Sequence, residues 1–450
     1  MRPAPPSAPP SAPPSAPPSS PSAPPRSSRR ARQQVNCRAR AQRNQQLRTL
    51  LSTVLKRIKP DGLPPVIERV LAELNECLAG LDARATLGGS IAKNTFLKGD
   101  YDVDIFVRFA RDGALSDTLA RVLPDAQRVH GSRDYFRLER DGITFEIVPV
   151  LDISSSRDAK NVTDMSPLHV DYVVKHLAHK PSLADEIRLA KQFCKAARVY
   201  GAESYIRGVS GHVLDLLVIH YGSFLSFIEA VAAWPDQVVI DPARHHDDAR
   251  AAIDAMKHGP LILVDPIQPE RNAAAALSRE QFDRLRKAAQ RFLAKPTPRA
   301  FTRIHLTPAL LKARFARQDH TVFVLALEPR KEKDDVAATK LLKAFTFICT
   351  QIKHHGFTIT RSGWDYDAGR ALAWIVVPTQ QLSATVEWQG PPVTARRDAQ
   401  RFAKKHARVV ERDGRLYARV RREYRRIRPL LKALFSAPQV TSRARRVTLV

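Results

Sequence analysis

Between Gly89 and Val107 the chain reads GSIAKNTFLKGDYDVDIFV, and this stretch holds residues with chemistry to offer. Asp102 and Asp104 stand two apart in DVDIFV. Their alternation with Val103, Ile105 and Val107 is that of a half-buried strand, so both carboxylates project from one face. Eleven residues separate Ser90 from Asp102. Gly89 permits a tight turn, and Ser90 opens a helix with hydroxyl and amide donors for phosphate oxygens. An isolated Asp-x-Asp also reads as a solvated strand end. Coupled to a Gly-Ser turn, the two acids read as half of a two-Mg²⁺ site for nucleotidyl transfer. A third carboxylate must then come from a neighbouring strand. In ITFEIVPVLDI (143–153), Ile143, Phe145 and Ile147 alternate with Thr144, Glu146 and Val148, which puts Glu146 on the open face. A carboxylate on an apolar strand is costly unless paired or metal-bound. Glu146 is therefore the expected third metal ligand and general base.

These acids need elements to hold them. Helical spacing in LRTLLSTVLKRIKP and in PPVIERVLAELNECLAG, with Val66, Val70, Leu71, Leu74 and Leu78 on one face, precedes the Gly-Ser and acid strands. Together they make a small α/β head at 47–158. The pattern resembles that of the polymerase-β-like nucleotidyltransferases. The segment 159–258 reads as helical (VDYVVKHLAH, ADEIRLAKQFCKAARVYGA, GVSGHVLDLLVIHYGSFLSFIEAVAAW). The remainder, 259–450, is mixed: strand HTVFVLALE, helix AATKLLKAFTFICTQIKHHG, strands FTITRSGWDY and ALAWIVVP, then helical segments DAQRFAKKHARVVE and RLYARVRREYRRIRPLLKALF. The fold class expected is thus a multidomain α/β plus α protein with a mixed α+β C-terminal body and tail. Residues 1–46 form a Pro-rich and then Arg-rich tail, expected to be disordered.

Charge narrows the partners. Lys and Arg total 73 against 45 acids, a formal +28. An enzyme of small metabolites has no use for that excess, whereas a polyanion-binding protein does. No 18-residue apolar run or lipidation motif suggests a membrane. Residues 26–48 carry eight arginines and no acid, read either as a solvated leader or as an RNA tether. From Arg396 onward 18 Lys/Arg face 4 acids, single-sign enrichment that argues for an RNA-facing surface. Cys37, Cys77, Cys194 and Cys349 are scattered without metal-ligand spacing and read as reduced thiols. No secretory h-region is present at the N-terminus, and a cytoplasmic location is expected.

Further motifs extend the resemblance. LKRIKP, IVP, MSPLHVDYV, DEIRLAKQFCKAARVYGAE, RGVSGHVLDLLVIHYGSF, VDP…RNAAAALS and EWQGPPV, with the acid block, are similar to those of archaeal-type (class I) CCA-adding enzymes, from about Leu50 to Leu434. The resemblance implies a tRNA nucleotidyltransferase that adds CCA from CTP and ATP without a nucleic-acid template, with Mg²⁺ as cofactor. It also suggests a homodimer. It assigns Asp102, Asp104 and Glu146 to metal, with Glu146 where the family usually has Asp. Ser90, Lys93 (where Arg is usual), His169, Lys191 and Tyr200 are assigned to the triphosphate, and Arg271 and Asn272 to the incoming nucleotide and RNA end. Read as residues alone, His169, Lys191 and Tyr200 also fit structural or solvated roles, and Asn272 equally fits an N-cap. The rivals are another template-independent transferase of the superfamily, poly(A)- or oligoadenylate-forming, and a non-catalytic RNA-binding relic.

Overall fold

The computed structural model describes residues 26–450 except 368 and 380, with side chains from residue 42 on; the segment 1–25, expected as disordered, lies outside the described residues. The chain divides into two units, 1–53 and 54–450. Helix α1 (Arg26–Ile58) begins in the first. A disordered tail was expected to residue 46, so from Arg26 on that expectation is corrected. No Gly or Pro interrupts this run, and its Ala, Arg, Gln and Leu are good helix formers.

In the second unit, α2 (Pro65–Cys77) leads into a five-stranded sheet built from β1 (Ala83–Leu87), β2 (Asp102–Phe109), β3 (Gln127–Val129), β4 (Tyr135–Arg140) and β5 (Ile143–Leu151). The short helix α3 (Gly89–Ala92) follows β1, and α4 (Leu115–Val122) follows β2. The order is β1-β2-β5-β4-β3, with β2 and β5 parallel and the other pairs antiparallel. Val66, Ile67, Val70 and Leu74 of α2 and Leu115 and Leu119 of α4 bury Val103, Ile105, Val107, Phe145 and Ile147 of the two central strands in one core. That core claims one face and leaves the acids to the other.

Helices α5 (Ser166–His179), α6 (Leu183–Ala197), α7 (Gly211–Tyr221) and α8 (Phe224–Ala233) follow. Next come β6 (Val238–Ile240), the turn of helix α9 (Ala249–Ala252), β7 (Leu261–Leu263) and α10 (Arg279–Ala294). The boundary expected at 258 is not where the structure divides. β6 pairs in parallel with β7 across it, and Trp234 stacks on Phe282 of α10 at 5.3 Å. Phe193, Phe224, Phe292 and Phe301 pack ring to ring at 5.5 to 6.0 Å. A shared aromatic cluster makes the helical domain continue to Phe301.

The rest comprises α11 (Pro308–Phe315), β8 (His320–Glu328), α12 (Asp334–His354), β9 (Arg361–Asp367), β10 (Arg370–Pro378), β11 (Thr385–Pro392), α13 (Arg396–Lys405), β12 (Val409–Arg412), β13 (Arg415–Arg421), α14 (Ile427–Phe435), α15 (Pro438–Thr441) and β14 (Arg446–Leu449). An antiparallel sheet β14-β8-β10-β9 carries α12 and α14 on its core. The second sheet, β11-β13-β12, corrects a further expectation: RLYARVR is a strand, not a helix. Asp413 and Gly414, both at positive φ (48° and 68°), form the two-residue turn between β12 and β13. Asp-Gly at left-handed angles is the turn that matches strand twist. No single helix among the described residues is long and apolar enough to cross a membrane.

Candidate functional site

The parallel register sets Asp104 beside Glu146 and Asp102 beside Thr144. All three acids therefore share the open face of the sheet. Burial, then Glu146 and Asp102, push Asp104 up to about 6. Asp102 is also raised, by burial and then by Asp100. Neither aspartate accepts a hydrogen bond or ion pair from a described side chain. Glu146 does: Arg137, its register partner on β4, donates from Nη2 to Oε1 at 2.8 Å.

Gly89 caps this cluster. Its φ is +51°, and a Cβ there would lie 1.8 Å from Asp104 Oδ2. The backbone thus approaches the carboxylate at a distance only glycine allows. Ser90 follows in α3, and its hydroxyl has no hydrogen-bond partner among the described residues. Gly89→Ala is expected to displace Asp104 and to lower kcat for nucleotide transfer by roughly 10²-fold, with a strain cost of about 1–3 kcal/mol. Steady-state kinetics alongside thermal unfolding test this. Unchanged kcat would mean that the Asp104 position is immaterial.

Three basic groups come together behind α3. Lys93 Nζ donates to Asp215 Oδ2 on α7 at 2.6 Å. Lys191 on α6 is buried and donates to Thr95 Oγ1 at 3.0 Å and to its carbonyl at 3.2 Å. Burial pulls the Lys191 ammonium down to about 8, against the opposing pull of Asp215. Lys195 pairs with Asp100 and lies 5.2 Å over the Tyr200 ring. Burial raises the Tyr200 phenol. Asp215 is fully buried, yet Lys93 and Lys191 outweigh the cost of its burial and hold it below the carboxylate range.

A second hub is Asp265, just past β7. Its carboxylate accepts from His169 Nε2 at 2.9 and 3.0 Å, from Arg271 Nη1 at 3.1 Å, and from the amides of Ile267 and Gln268 at 2.9 and 3.3 Å. His212 Nε2 lies 3.4 Å from the same group. Asn272 lines the cavity described below and is tied into its own loop. Its Oδ1 accepts from the amides of Leu263 and Ala274, and its Nδ2 donates to the carbonyls of Lys257 and Leu261. Both amide protons are spent inside the loop, so the nucleotide contact expected of Asn272 has no free donor. It holds the loop that presents Arg271. A cavity of about 920 Å³ joins Gly89, Lys93 and Asp104 to His169, His212 and Arg271. Ser90, Lys191 and Tyr200 do not line it.

Two buried acids lock these parts together. Asp164 pairs with Arg133 and accepts from the amides of Leu151 and Asn161. Burial would raise Asp164, but these partners win and lower it. For Asp265 burial is likewise overcome, by His169 and His212. A depressed carboxylate contributes stability above its unfolded pKa that is lost as pH falls through the folded one. The thermal midpoint is therefore expected to fall steeply below about pH 4, and Asp164→Asn to flatten that fall. A midpoint insensitive to acid would remove both locks from the account.

Three family models match the chain: a nucleotidyltransferase domain over 67–194, the second domain of tRNA nucleotidyltransferase over 185–302, and the C-terminal domain of CCA-adding enzyme over 319–442. A curated CCA-adding enzyme of Halobacterium salinarum is 33% identical over 329 residues, 71% of each chain. The chain belongs to the CCA-adding enzymes. Relatives of the same name from Thermococcus gammatolerans (29% identical, covering 83% of this chain and 86% of that one) and Methanothermobacter thermautotrophicus (28%, 87% and 89%) extend the match. As a CCA-adding enzyme it is a tRNA nucleotidyltransferase that works without a nucleic-acid template. The model boundary at 302 agrees with the aromatic cluster closing at Phe301, and not with 258.

Four residues of the site lie outside the sequence expectations. Arg137, His212, Asp215 and Asp265 carry the site's electrostatics, and two of them had a signal. An acid inside VLDLLVIHY and another ending LILVD are charges in apolar runs, which demand a partner.

Proposed function

We propose that this CCA-adding enzyme takes CTP and ATP into the cavity beside Gly89 and joins them to the tRNA 3′ end on the face that carries Asp102, Asp104 and Glu146. One observation supports the reading above others. Asp102 and Asp104 are crowded together without an ion-pair partner among the described residues, and both are raised by burial, so positive charge arriving with the substrate relieves a cost that the distant lysines do not. The all-oxygen donor set fits a hard cation, and Asp102, Asp104 and Glu146 would hold two Mg²⁺. These ions supply activation of the 3′-hydroxyl and charge neutralisation on the departing pyrophosphate. Glu146 accepts the proton of the attacking hydroxyl once Arg137 has released its Oε1. Lys93, His169 and Arg271 orient the triphosphate across the cavity, Ser90 offers its hydroxyl from the turn beside it, and Lys191 and Tyr200 support that wall from behind. The arginine-rich segment from Arg396 grips the RNA by shape and phosphate charge.

Incubation with Mg²⁺ and tRNA ending before its CCA, with CTP and ATP supplied separately and together, tests the proposal. Sequenced 3′ ends stopping at CCA are expected. Tailing by ATP alone would point to the poly(A)-forming rival, and RNA binding without incorporation to the relic.

A further inference from the structure

The mechanism makes no use of His212. This residue lies in the first turn of α7, and its ring meets that of His169, in the first turn of α5, edge to face at 4.6 Å. Its Nε2 is buried without a hydrogen-bond partner, although Asp265 Oδ2 lies 3.4 Å away. A neutral imidazole offers one nitrogen lone pair to a cation. His169 Nε2 faces the same carboxylate at 2.9 Å. One donor atom from each of the three residues lies within 4.8 Å of the others. The Asp265 carboxylate is itself fixed by the amides of Ile267 and Gln268.

We propose that His169, His212 and Asp265 form a three-ligand site for a borderline transition cation, for which Zn²⁺ is the probe, and that its occupation excludes the nucleotide triphosphate. Two imidazoles and a carboxylate are a zinc donor set, with a fourth position left open. The Asp102, Asp104 and Glu146 set is all-oxygen and hard, so the two sites sort cations by chemistry. The bonds from Ile267 and Gln268 orient the ligating carboxylate, as outer partners do in metal centres. Arg271 is the competitor, since its guanidinium shares Asp265 Oδ2. Its side chain is 47% exposed and can withdraw into solvent. The step balances simply. In the absence of the cation His169 Nε2 carries the ring proton, because a carboxylate only accepts; on ligation that proton passes through solvent to Nδ1, so the ring stays neutral, no net proton is released and every oxidation state is unchanged. Both histidines line the cavity. A cation held there takes His169 from the triphosphate, a consequence that rests on the proposed nucleotide role of His169.

Co²⁺ titration of the full chain, with Mg²⁺ saturating the carboxylate site, is the test. The expected result is the intense visible absorption of four- or five-coordinate Co²⁺, bleached by Zn²⁺. His212→Gln, folded as judged by its thermal transition in EDTA, should lose that band and bind Zn²⁺ about 100-fold more weakly. Arg271→Ala, which removes the competing charge, should bind Zn²⁺ several-fold more tightly. Only the weak absorption of octahedral Co²⁺, or equal Zn²⁺ affinity in all three proteins, would overturn the site. CTP should raise the Zn²⁺ concentration needed for half inhibition in proportion to its own concentration. A bleached band with CTP-independent inhibition would keep the metal site, overturn the exclusion and refute the triphosphate role of His169.

Discussion

Asp104→Asn is expected to abolish nucleotide addition, by on the order of 10³-fold or more, while making the protein no less stable. The two halves of this result have one cause. Asp104 is pushed up to about 6 by burial and by its acidic neighbours. Between pH 3.8 and 6 the folded protein therefore holds a proton that the unfolded chain has released, and the stability this group contributes falls as pH rises through that window. Above it the folded state bears the full cost of the charge. Asparagine keeps the shape and removes that cost, so in EDTA at pH 8 the variant should melt at or above the wild-type temperature. Divalent cations should raise the midpoint of the wild type more than that of the variant. A variant that melts lower in EDTA would mean that the carboxylate has a structural partner and is not held ready for a cation.

The second large effect is expected at Asp215. This carboxylate is the only described one in ion-pair contact with Lys93, and it opposes the loss of charge on buried Lys191. Asp215→Asn would leave buried ammonium groups without a counter-charge, at a cost of about 3–5 kcal/mol in stability. Lys191, already down to about 8, would fall further and be largely neutral at physiological pH. KM for CTP and ATP should rise by about tenfold or more, equivalent to about 1.4 kcal/mol of binding. The alkaline limb of the kcat/KM profile should also move to lower pH than in the wild type. A pH profile that does not move would show that Lys191 takes no part in nucleotide binding.

How far the sequence could be read follows from how local each signal is. Asp102, Asp104 and Glu146 were legible because a period of two places each acid opposite its own apolar neighbours, and parallel pairing then aligned them. Gly89 was legible as a turn. Its approach to Asp104 was not, because that depends on two segments meeting. Lys93 and Lys191 were named without the Asp215 that holds them, since a buried ion pair across 122 positions leaves no pattern in either segment. The loop contacts of Asn272 were hidden for the same reason: its four partners are backbone groups, which no side-chain motif reveals. RLYARVR carries a local strand signal beneath its charge. Leu416, Ala418 and Val420 alternate with Arg415, Arg419 and Arg421, and Asp413-Gly414 precedes them, so period and turn outweigh a charge distribution that also suits a solvated helix.

The β11-β13-β12 sheet has one more property. Of its strands only Ala418 reaches the core, and α13, which packs against it, buries no residue at all. In β10, by contrast, Ala371, Ala373, Ile375, Val376 and Val377 are all buried. A layer with so little apolar mass opens at a small fraction of the free energy that unfolds the whole molecule. Deuterium uptake at the amides of β11 and β13 should run orders of magnitude ahead of that in β8 and β10, and bound tRNA should slow it selectively. This arginine-rich layer is thus softer than the sheet that carries α12, and under the proposed function it is able to yield to each acceptor stem.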